Sequence, residues 1–155
     1  MFIDRALFWC YNTYIEVRKH PMEFLVEARS IKKRKFVEAI LPSIIGQLGL
    51  TASRKAVVIR IASECEGMGM TIPVDILDSY VVVINPRLKL KELGLTLAHE
   101  MVHVRQMAKG FLKSKNGHNY WCGKRYGKKT KYLDLPWEQD AFARQEIIFR
   151  KAIEE

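Results

Sequence analysis

Residues 93–110, LGLTLAHEMVHVRQMAKG, constrain the fold of this chain more than any other stretch. They are apolar almost all round, yet they carry His99, Glu100 and His103. A helix that is hydrophobic on every side must be buried. Histidine and glutamate side chains buried without partners are costly. The chain therefore has to enclose this segment and supply something for the three polar groups to bind. Helical spacing runs through LKLKELGLTLAHEMVHVRQMAK, residues 88–109, with Gly110 as a plausible stop. Leu90, Leu93, Leu97, Met101 and Val104 form the face free to pack in a core, and Gly94 permits a close backbone approach.

His99 and His103 are four apart, so a helix places both imidazoles on one face where they can reach a single metal ion. Glu100 points about 100° further round the axis, which suits a group that works beside a metal without binding it. The pattern is H-E-x-x-H, and it predicts one Zn2+ per chain with Glu100 as general base. A catalytic zinc site usually takes three protein ligands and keeps a fourth position for water. The downstream candidates are His118, Asp134, Glu138, Asp140 and Glu146. Glu138 is preferred because it stands in the first turn of a final helix, beside the anchoring aromatic Trp137. His118, in NGHNYW, is the runner-up, and Cys122 in its lysine-rich surroundings is weaker.

The 155 residues suffice for one domain with a real core. Ile3, Leu7, Cys10, Tyr14 and Val17 predict a helix over 2–18. His20-Pro21 marks a break, and Phe24, Leu25, Ala28, Ile31, Phe36, Ile40 and Ile44 predict a second helical stretch that Pro42 could kink. KAVVIRI, GMGMTIPV and SYVVVIN read as three strands. Residues 111–135 read as a long loop with a short strand at NYWCGKRYG, and Pro136 opens a last helix. The expected architecture is α+β: N-terminal helices over residues 1–50, then a core over 55–155. That core holds a small, mostly antiparallel sheet of about three strands, a central H-E-x-x-H helix and a C-terminal helix.

The net charge of +9 is concentrated. Residues 105–131 carry nine Lys and Arg and no Asp or Glu, while the rest of the chain is balanced. Such a segment favours an acidic partner or nucleic acid, with Tyr120, Trp121 and Tyr126 available for stacking, against the simpler reading of a solvated surface. Three widely spaced cysteines, Cys10, Cys65 and Cys122, suggest reduced thiols rather than a disulfide framework. No apolar run reaches the roughly 20 residues of a membrane span, and no signal-peptide pattern is evident. A cytoplasmic location is expected.

Together VVVINPRL, LTLAHEMVHVRQ and PWEQDAF resemble the zincin metallopeptidases, and more closely the gluzincin-type, SprT-like proteins of bacteria and phages. The resemblance spans roughly residues 55–145, with H-E-x-x-H its specific part. The extra histidine of HExxHxxGxxH is absent, Gln106 standing three after His103, and so is a Cys-rich zinc ribbon. The resemblance implies a strand leading into the H-E-x-x-H helix and an acidic ligand on a later helix. It implies a zinc endopeptidase in which Glu100 takes a proton from the attacking water. Tyr120, Tyr126, Tyr132 and His118 are candidate oxyanion or substrate contacts. SYVVVIN, if it lies at a sheet edge, could hold an extended substrate by strand addition; the equal alternative is a buried core strand. The alternative is a basic nucleic-acid-binding or structural protein on the same scaffold without turnover.

Overall fold

A computed structural model describes residues 22–155, and the helix expected over 2–18 lies outside them. The described residues form an α+β fold of three helices and two small sheets. The first sheet holds β1 (Phe24–Ala28), β2 (Ala56–Ile61), β3 (Gly69–Val74) and β4 (Ser79–Ile84) in the order β1-β2-β4-β3. β1 pairs parallel with β2 and β2 parallel with β4, and only β3 is antiparallel. The expectation of a mostly antiparallel sheet of three strands is thus corrected for the sheet that carries the core. Its three expected strands are present, but a fourth joins them and parallel pairing dominates. VVI in β2 and VVVI in β4 are continuous apolar runs, the pattern of strands buried on both faces.

The fourth strand comes from a stretch read as helix. Phe24–Ala28 pairs with β2, so residues 22–50 supply a strand to the sheet as well as a helix. The helix α1 begins only at Ile31, capped by the Ser30 hydroxyl, which accepts from the Lys33 amide at 3.3 Å. It continues through Pro42 to Gln47. Five apolar-rich residues fit either period, and the available edge of β2 decides between them.

SYVVVIN is a strand as expected, and it takes the interior position instead of an edge. β4 lies between β2 and β3, and the edges belong to β1 and β3. Pro73 sits on β3, where a missing amide donor is tolerated. One cross-strand row runs Val26, Ile59, Val82, Thr71. Its first three members are buried in the core, and the row ends at Thr71 on the free edge.

Helix α2 (Leu90–Ala108) follows β4 and carries the H-E-x-x-H residues, and α3 (Pro136–Glu154) packs on both α1 and α2. Leu93, Leu97, Met101 and Val104 of α2 are fully buried among Leu41 and Ile44 of α1, Val82 and Ile84 of the sheet, and Ala141 and Phe149 of α3. Gly94 meets the Phe149 ring so closely that a Cβ there would overlap it. That contact sets the approach of α3, and with it the position of Glu138.

The short strand expected at NYWCGKRYG is two strands, and a third precedes them, so residues 112–126 are more than a loop with one strand. β5 (Leu112–Lys115), β6 (His118–Trp121) and β7 (Lys124–Tyr126) form a second, antiparallel sheet. Its two hairpins turn at Asn116-Gly117 (φ 52° and 73°) and Cys122-Gly123 (φ 48° and 85°). Positive φ at both central residues matches the twist of short hairpins and explains the Asn-Gly and Xaa-Gly pairs. No helix among the described residues is long and apolar enough to cross a membrane.

Candidate metal centre

Two helices build the site. α2 presents His99 and His103 one turn apart, and their ring centroids lie 4.9 Å apart. α3 begins with Pro136 at its first position, which aims Glu138 at the two rings from its first turn. Glu138 Oε2 lies 3.0 Å from His99 Nε2 and 3.4 Å from His103 Nε2. One ligand atom from each residue falls within 4.8 Å of the others, and this is the one such cluster among the described residues. All three side chains are buried, with residue exposures of 7–8%.

The outer ring nitrogens identify what the cluster can hold. His99 Nδ1 is 2.9 Å from Gln145 Oε1, and His103 Nδ1 is 2.8 Å from Gln106 Oε1. An amide oxygen only accepts, so each Nδ1 carries hydrogen, and a neutral ring is left with a lone pair on Nε2. Those lone pairs face a carboxylate oxygen. Three acceptors at such distances are stable only around a cation, either a proton or a metal ion. Two imidazoles and a carboxylate, oriented by hydrogen bonds behind them, fit a divalent metal ion.

The electrostatics agree. Burial opposes ionisation of Glu138, but hydrogen bonds from His103, His99 and Tyr132 outweigh it and hold the carboxyl far below its ordinary range. Burial likewise opposes charge on His103, yet Glu138 and Gln106 raise its pKa above the ordinary histidine value. Glu100 goes the other way. Burial raises its pKa, against the lowering effect of the Thr71 hydrogen bond and the two histidines. Its Oε2 accepts from Thr71 Oγ1 at 2.6 Å, tying the base candidate to edge strand β3. Gly69, also on β3, allows this approach: a Cβ there would stand 2.8 Å from Thr96 Cγ2 and 3.1 Å from Glu100 Cγ.

The other sequence candidates separate clearly. Tyr132 reaches the cluster, donating to Glu138 Oε2 at 2.7 Å. His118 does not; it sits on β6 with Nε2 3.3 Å from Arg125 Nη2. Tyr120 lines a groove with Phe111, Lys113, Lys115 and Cys122. Tyr126 packs edge-on against Trp137, centroids 5.6 Å apart, and so steadies the start of α3. Asp134, Asp140, Glu146 and Cys122 lie outside the cluster; Asp140 instead accepts from Gln106 Nε2 and Arg144 Nε. Cys65 and Cys122 are free thiols.

Three contributors were not anticipated: Thr71, Gln106 and Gln145. Gln106 could have been read, since it lies one turn beyond His103 on the same face. Thr71 and Gln145 carry no local signal. Compared with protein-family models, curated proteins and solved structures, the chain finds no match.

Proposed function

We propose that the protein is a zinc-dependent endopeptidase. The observation that carries this reading is the convergence of His99, His103 and Glu138 from two helices, with Glu100 buried beside them. The resemblance to zincin metallopeptidases points the same way. A zinc ion held by these three donors supplies a Lewis acid and acidifies water toward a pKa of about 7. Glu100, adjacent to the ligands, accepts the proton of the attacking water on its carboxylate and delivers it to the leaving amine. Burial favours the protonated form of Glu100, which suits a group that must hold a proton between those steps. Tyr132 is the candidate oxyanion donor, because its hydroxyl already points at the ligand shell.

Edge strand β3 replaces β4 as the place where an extended peptide adds a strand. Its position beside Glu100 supports this, as do the exposed apolar side chains of Met70 and Ile72. Purified protein is expected to contain about one zinc per chain and to digest casein, with activity lost on chelation and restored by zinc. A zinc-loaded protein that cleaves no unstructured substrate would remove the peptidase reading. The free thiols suit a reducing, cytoplasmic setting.

A second, partner-side reading rests on the β5–β7 sheet. Its register sets Lys113, Tyr120 and Arg125 in one row across three strands, with Lys115 and His118 two residues on, in the next row of the same face. Among the described residues, Lys113, Lys115, Lys124, Arg125, Lys128, Lys129 and Lys131 form no ion pair. A basic face with a central aromatic suits a single-stranded nucleic acid, phosphates on the cations and a base on the ring. Reversal of Lys124, Arg125, Lys128 and Lys129 to Glu should abolish salt-dependent binding of a labelled oligonucleotide. Melting should change little, because these side chains are exposed. Equal binding before and after reversal would refute this second reading.

A further inference from the structure

We propose that Gln106 is a positioning residue that fixes the tautomer of His103 and thereby sets metal affinity. The proposal rests on the metal-site reading above and deepens it. Gln106 is fully buried, with 0% exposure. Every polar atom of its side chain is committed. Oε1 accepts from His103 Nδ1 at 2.8 Å. Nε2 donates to the Trp137 carbonyl at 2.9 Å and to Asp140 Oδ2 at 2.9 Å.

The two acceptors on α3 fix which way the amide faces. If it flipped, its oxygen would meet a carbonyl and a carboxylate in a buried space, while its NH2 group would point at His103. The amide oxygen must therefore face Nδ1, and Nδ1 must carry the hydrogen. The neutral ring of His103 then presents its lone pair on Nε2, facing the site, before any metal ion arrives. One side chain also ties α2, which carries two ligands, to the first turn of α3, which carries the third. Asp140 is itself held by Arg144 Nε at 2.6 Å, so the chain of contacts runs from the ligand to the surface. Gln145, behind His99, is less buried and less constrained: among the described residues its side chain's only hydrogen bond is the one to His99. The two histidines are therefore unequal, and His103 is the preset one.

Three proteins decide the matter: wild type, Q106L, and D140N in a Q106E background. The double variant restores two of the three contacts, with a carboxylate accepting from His103 and an amide at position 140 donating back, and leaves the Trp137 carbonyl without its donor. The readouts are the imidazole tautomers, from two-bond 1H–15N correlations in metal-free and zinc-loaded protein, and zinc affinity by competition with a chromophoric chelator. Wild type is expected to show His103 as the Nδ1–H form. Q106L should weaken zinc about 10–100-fold and mix the His103 tautomers while leaving His99 unchanged. The double variant should recover part of the affinity. An Nε2–H form of His103 in wild type, or Q106L affinity within about twofold of wild type, would overturn the role. Absence of zinc binding by wild type would refute the metal-site reading instead, and the tautomer of metal-free wild type would still decide the role of Gln106.

Discussion

Glu100 is the residue at which stability and chemistry pull apart. Its carboxyl is buried beside two histidines and a second carboxylate, and burial raises its pKa. Keeping it ionised at neutral pH therefore costs the fold something. Glu100→Gln removes that cost and retains an oxygen able to accept from Thr71. The variant should keep zinc, lose activity by about 10²–10⁴-fold, and melt a few degrees higher in its metal-free form. Calorimetry with a parallel metal assay checks all three; loss of zinc would make Glu100 a ligand instead of the base. The third ligand is testable in the same way. Glu138→Ala should weaken zinc binding sharply, because two imidazoles alone hold it poorly. His118→Ala should leave it nearly intact, since that ring faces Arg125 and not the cluster. The reverse pattern in a zinc titration would mean a three-histidine site.

At the level of elements, the site depends on how closely α3 and β3 approach α2. Gly94 lets the Phe149 ring lie on the backbone of α2. Gly94→Ala should push α3 outward, cost about 1–3 kcal/mol and weaken zinc binding, because Glu138 moves with its helix. Gly69 plays the matching part on β3, where a methyl group would press on Thr96 and Glu100. Gly69→Ala should therefore lower kcat with zinc content unchanged, since the methyl group would meet the base and Thr96. Denaturant melts, zinc stoichiometry and steady-state kinetics on the two variants separate these effects. If both variants lost zinc equally, the division of labour between α3 and β3 would be wrong.

Across the whole molecule, the metal-free protein should show a distinctive pH dependence. Glu138 has a depressed pKa, so its contribution is complete above the ordinary carboxylate value of about 4.3 and lost as pH falls. His103 has a raised pKa, so its contribution is complete below about 6.5 and lost as pH rises through the folded value. The cluster should therefore stabilise the metal-free fold most between about pH 4.5 and 6.5. The stability difference between wild type and Glu138→Gln, measured by urea denaturation at several pH values, should peak in that window. With zinc bound, the ion replaces the proton and the alkaline loss should disappear. A difference that keeps growing to pH 8 without metal would contradict the pairing of Glu138 with His103.

His99, Glu100 and His103 could be placed from the amino-acid order alone, because a helix converts a spacing of four into one face by local geometry. Glu138 could be named for the same kind of reason: a proline-led helix start makes its first-turn side chains predictable in direction. The hairpins at Asn116-Gly117 and Cys122-Gly123 were legible too, although read as loop, since positive φ is a local demand. The remainder was decided only on folding. Phe24–Ala28 became a strand because β2 had a free edge, and β4 became central because it pairs with β2 directly, although β3 lies between them in sequence. Thr71 and Gln145 reached the site across 29 and 46 residues, respectively. Periodicity reports the conformation of a segment and which of its faces is apolar. It carries no information on which distant segment meets that face, because that depends on packing energies summed over the whole core.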